Sequence, residues 1–100
     1  MNLQEFKASV DRENPPAGIG QVLTALWEDA KGHWDTAHSI VQKMNSIDAM
    51  SVHAYLHREE GDLSNASYWY HRVNKVMPKI SLQEEWQELA TQLLGSGFSA

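Results

Sequence analysis

His53 and His57 lie four residues apart, and on a helix that spacing puts both side chains on one face. Two imidazoles one turn apart can chelate a single divalent ion, so the pair is half of a metal site. The helical metalloprotease motif needs a Glu directly after the first His as general base; here that position is Ala54. A third ligand must come from another segment. His38, His71 and Glu28 are the candidates, each on a stretch expected to neighbour this helix. The alternative is a structural one, in which the histidines are partly buried and satisfied by polar neighbours. Catalytic patterns are missing. Ser39, Ser64 and Ser67 lack a nucleophile-elbow context, and Asp35 with His38 reads as a first-turn carboxylate beside a surface imidazole. Gly18-Ile19-Gly20 lacks both the preceding strand and the later Lys or acidic residue of a phosphate loop. No catalytic residue is assigned, and the chain reads more as a binding protein than as an enzyme.

The elements that must position these residues are helices. Pro15-Pro16 with Gly18 and Gly20, then Gly32, Asn45-Ser46, Gly61 and Pro78 break the chain into segments with helical periodicity. Asn2 and Glu5 can form a capping box ahead of Leu3, Phe6 and Val10. Leu23, Leu26, Trp27 and Ala30 stripe a second helix ending at Gly32; Trp34, Ala37, Val41 and Met44 stripe a third. Ile47, Met50 and Ala54 mark a fourth, and Leu63, Ala66, Tyr70, Val73 and Met77 a fifth, closed by Pro78. Ser81 and Glu84 form another capping box, before Trp86, Leu89 and Leu93 on a sixth. The fold class is all-α: about six antiparallel helices, stacked as two hairpins with a flanking helix at each end. One domain spans 1–100, with repeat units at about 17–45 and 47–77 and flanking helices at 2–13 and 81–95.

Composition narrows the function. The 100 residues hold 8 Lys and Arg against 13 Asp and Glu, a net charge of −5, which disfavours nucleic acid and polybasic membrane contact. With no Cys there are no disulfides, thiol nucleophiles or Cys-ligated zinc. No apolar run reaches spanning length and the first residues lack a basic leader, so a cytoplasmic location and no membrane association are expected.

The two central hairpins repeat at an offset of 29 residues. Gly32, Trp34 and Ala37 align with Gly61, Leu63 and Ala66, and Leu26, Trp27, Val41 and Met44 align with Tyr55, Leu56, Tyr70 and Val73. Gly turns the chain and a small Ala lets the helices approach. The run Gly-x-aromatic-x-x-Ala-x-x-x-large resembles the second half of a tetratricopeptide repeat. Ala66-Ser67-Tyr68-Trp69-Tyr70-His71-Arg72 is similar to the Ala-x-x-Trp-Tyr-x-basic signature of Sel1-like repeats. The runs His53–Arg58 and Tyr68–Tyr70 also resemble a group of short bacterial proteins, which implies a helical-repeat fold and no activity.

In the register this resemblance implies, His53 and His57 stand where the family packs Leu and Tyr. Their counterparts in the first unit are Thr24 and Glu28. An unpaired polar group there costs on the order of 1–3 kcal/mol, so a semi-buried cluster of Glu28, His53 and His57, reached by His38, is expected. It is either structural or the lining of a small-molecule pocket. Asp29 and Arg58 are equivalent across the repeat and are expected to bridge the units at an exposed groove. Tyr68, beside His71 and Arg72, offers the aromatic-plus-Arg chemistry of binding surfaces. Glu59, Glu60 and Asp62 read as soluble charge. The leading reading is a protein or peptide interaction module without a cofactor, with homodimerisation through the sixth helix as an option. The alternative is a small-ligand or divalent-metal-binding protein built on the His/Glu cluster.

Overall fold

The computed structural model describes residues 1–96, which form six helices and no strand. They are α1 (Leu3–Ser9), α2 (Gln21–Ala30), α3 (Trp34–Val41), α4 (Ile47–Glu59), α5 (Leu63–Arg72) and α6 (Leu82–Ser96). Both capping boxes form. Asn2 Oδ1 accepts from Glu5 N at 2.8 Å while Glu5 Oε1 accepts from Asn2 N at 3.0 Å. Ser81 Oγ accepts from Glu84 N at 3.0 Å, and Glu84 Oε1 from Ser81 N at 3.3 Å. Each reciprocal pair satisfies two backbone donors that a helix start otherwise leaves free.

The 29-residue offset is visible in the turns. Gly32 (φ 89°) and Gly61 (φ 87°) take the left-handed conformation that ends α2 and α4. Around the first, His33 N donates to Glu28 O at 2.9 Å and Gly32 N to Asp29 O at 2.9 Å. Around the second, Asp62 N donates to His57 O at 3.0 Å and Gly61 N to Arg58 O at 3.1 Å. These are two copies of the Schellman cap, each folding one helix back on the next. A third copy ends α5 early: Asn74, at φ 61°, donates to His71 O, and Lys75 N to Tyr70 O. Helix α5 therefore stops at Arg72, short of the expected Met77, because Asn74 tolerates the left-handed region four residues before Pro78 could act. Likewise α1 stops at Ser9 and α3 at Val41, each shorter than its apolar stripe implies.

Helix α4 is the axis of the molecule. It packs on α2, α3, α5 and α6, and every residue from Ala49 to His57 is buried. The main core combines Phe6, Leu23, Leu26, Trp27, Val41, Val52, Leu56, Trp86 and Leu89. Each large side chain fully withdrawn from water contributes about 1.5–3 kcal/mol. The flanking helices do not sit at opposite ends of the stack. Helix α1 packs on α6, and α6 lies across α2 and α4, the first helices of both hairpins. Phe6 stacks on Trp86 at 5.5 Å, and Trp86 Nε1 donates to Leu26 O at 3.0 Å. Among the described residues no helix is long and apolar enough to cross a membrane.

Candidate functional site

The hairpin geometry brings His38 on α3 against His53 and His57 on α4. His38 Nε2 and His53 Nε2 are 3.1 Å apart, and one ligand nitrogen from each of the three rings lies within 4.8 Å of the others. Two nitrogens bound to one tetrahedral ion at 2.0–2.1 Å stand roughly 3.3 Å apart, so His38 and His53 already hold such an edge. Without an ion, one of these rings donates its N–H to the other. His57 is oriented from its far side: its Nδ1 meets Glu60 Oε2 at 2.7 Å. A carboxylate on Nδ1 fixes that proton and leaves Nε2 bare for an ion, the arrangement that commonly backs a metal-binding imidazole.

The three rings are walled by aromatics. Trp34 stacks on His38 at 4.8 Å with 9° between planes, and its Nε1 is anchored to Leu56 O at 2.9 Å. Trp69 stacks on His53 at 4.0 Å, and the Arg72 guanidinium covers Trp69 at 4.8 Å. His53 and His57 are buried and His38 half-buried. Burial, then the neighbouring His38 and His57 and the Arg72 charge, push His53 down to about 4. Burial first and His57 second also lower His38. At neutral pH these two rings are therefore uncharged and their lone pairs available, which is the form a metal ion binds.

Of the residues expected around His53 and His57, only His38 arrives. Glu28 reaches forward over the Gly32 turn to His33 Nδ1 at 2.8 Å, and His71 is exposed on α5. The expected Asp29–Arg58 bridge does not form, since each residue finds a closer partner. Arg58 donates to Glu85 Oε1 at 2.8 Å and also to Ile80 O, while Tyr70 Oη donates to Glu85 Oε2 at 2.6 Å. Asp29 is buried beside Glu59, so the two residues expected to pair across the repeat face different neighbours. Tyr68 and Arg72 do lie on the surface, with Arg72 over both the Tyr68 and Trp69 rings.

Three acidic residues read as soluble charge have separate duties. Glu60 holds His57, Asp62 caps α5 by accepting from Asn65 N at 3.3 Å, and Glu59 is half-buried against Asp29. The spacing of Glu60, three residues after His57, was the available signal for the first. Glu59 had none, because its partner comes from α2. Comparison of the chain with protein-family models, curated proteins and solved structures finds no match in any of the three.

Proposed function

We propose that this protein binds one transition-metal ion, with Zn²⁺ the reference case, through His38, His53 and His57. The observation that carries the reading is the convergence of three imidazoles from two helices, with a carboxylate on the outer nitrogen of one. An all-nitrogen site of neutral imidazoles suits zinc, copper or nickel and not magnesium or calcium. Three protein ligands leave a fourth position for water or an exchangeable donor. Because His38 belongs to the first hairpin and His53 and His57 to the second, a bound ion ties the two hairpins together.

The test is Co²⁺ absorption spectroscopy with Zn²⁺ competition and Zn²⁺-dependent thermal melts, on the wild type and on His38→Ala, His53→Ala and Glu60→Ala. Tetrahedral Co²⁺ bands displaced by Zn²⁺, a raised melting temperature, loss in both histidine variants and about 10–100-fold weaker binding in Glu60→Ala are expected. Folded protein without Co²⁺ bands or a Zn²⁺ shift, or binding undiminished by both histidine substitutions, refutes the site.

A second reading, the protein or peptide interaction module that the repeat resemblance suggests, has the exposed Tyr68 and Arg72 in its favour. Helix α6 already covers the first helices of both hairpins, so such a partner docks on the outer face of α5.

A further inference from the structure

On the side of α4 away from the histidines, α1, α2, α4 and α6 line an open cleft of about 410 Å³. Asp29 and Glu59 stand in its wall, with Tyr55, Trp86, Val10 and Lys7 around them. An ordinary acidic cluster is solvated. Here Asp29 is 7% exposed, and among the described residues no N–H group or cation meets its carboxyl, whose one partner is Glu59. Glu59 Oε1 is likewise buried without a donor from any other group. Arg58, the guanidinium nearest in sequence, is committed to Glu85 and Ile80, and among the described residues Lys7 forms no ion pair.

We propose that this cleft binds a small alkylammonium ion, its N–H groups on Asp29 and Glu59 and its hydrocarbon chain along Val10 and Trp86. The proposal is independent of the metal site. A buried carboxyl pair lacking a counter-charge is an unfavourable arrangement that a cation with several donors relieves. The volume far exceeds one metal ion, and the apolar and aromatic walls match an aliphatic chain rather than a hydrated ion. Burial first and the Asp29 carboxyl second push Glu59 upward, as expected for a carboxyl held without a counter-charge. The other groups facing the pair are Lys7 from α1 and Tyr55 from α4, whose phenol is pushed upward by burial and stays neutral. Arg58 and Glu85, further along, neutralise each other.

The experiment is calorimetric titration of the full chain with n-butylamine, with n-butanol as the neutral analogue, repeated on the isosteric double variant Asp29→Asn/Glu59→Gln. The wild type is expected to bind n-butylamine at least about tenfold tighter than n-butanol, and the double variant to lose that preference while its circular dichroism and melting show it folded. A dissociation constant weaker than about 10 mM, equal binding of n-butanol, or full preference retained by the folded double variant overturns the proposal. Because His53→Ala leaves this cleft intact, amine binding by that variant separates failure here from failure of the metal site.

Discussion

Replacing Glu59 by Gln isolates what it costs the fold to hold a proton between two carboxyls. In the unfolded chain Glu59 titrates at its ordinary 4.5; in the fold it is pushed up to about 9 by burial and then by Asp29. A folded value above the unfolded one contributes stability that is complete below 4.5 and is lost as pH rises toward 9. At pH 7 the unfolded chain has released its proton and the folded chain has kept it, a gap of about 2.5 pH units. Fully expressed, that is about 3 kcal/mol, and because Glu59 is only half-buried the expected loss is about 1–2 kcal/mol. Gln keeps the shape and an N–H donor toward Asp29 without any proton to hold. Glu59→Gln is therefore expected to be more stable than the wild type by about 1–2 kcal/mol at pH 7 and equal to it near pH 4. Urea unfolding followed by tryptophan fluorescence and circular dichroism measures this; with a slope of about 1–2 kcal/mol/M, the pH 7 midpoint moves up by roughly 1 M. A variant that is no more stable at pH 7, or whose advantage is the same at both pH values, refutes the shared-proton account.

Arg58→Ala leaves Glu85 buried with only Tyr70 as donor, and is expected to cost about 3–5 kcal/mol, whereas Arg58→Ala/Glu85→Leu recovers much of it; urea midpoints at pH 7 check both. The histidines act on stability in the opposite direction to Glu59. His53 and His38 are held below the ordinary 6.5, so stability is complete above that value and is lost as pH falls toward 4 while the unfolded chain gains protons. In the Asp29→Asn/Glu59→Gln background, where the opposing effect of the carboxyl pair is absent, melting temperature is expected to fall steadily from pH 6.5 to 4. A flat profile over that window overturns the assignment of neutral, buried rings.

Features fixed by local chemistry were readable from the chain. The two capping boxes, the left-handed Gly32 and Gly61 and the 29-residue offset depend on residues within one turn of each other, and all appear where the spacing puts them. His53 and His57 were readable for the same reason. What could not be read was which side chain crosses from another helix. Equivalence in the repeat set Asp29 against Arg58, but about 100° of rotation along α4 decides whether Arg58 or Glu59 faces α2, and it is Glu59. Arg58 instead points toward α6, which the repeat register does not place at all. Trp69 is another side chain whose partner comes from a different helix: it is stacked on His53. Glu28 matched its position in the repeat but was captured by His33, a partner five residues away that costs less chain ordering than one across the hairpin.

Helix α4 carries both unusual sites, and its geometry explains why they are separate. At about 100° per residue, His53, His57 and Glu60 fall within one arc, and Tyr55 and Glu59 fall nearly opposite. The first arc faces α3 and α5, the second faces α2 and α6. A helix buried from Ala49 to His57 would be most cheaply stabilised by hydrocarbon on both faces, and a chain of 100 residues has a modest core to begin with. Instead, three imidazoles are desolvated on one side and two carboxyls are pressed together on the other, each lowering stability near neutral pH or just below it. Well-packed apolar replacements at such positions are often neutral or stabilising. Stability alone therefore accounts for neither cluster. Each is what the two proposed sites require: imidazole lone pairs on the α3 and α5 side, and a buried carboxyl pair on the α2 and α6 side.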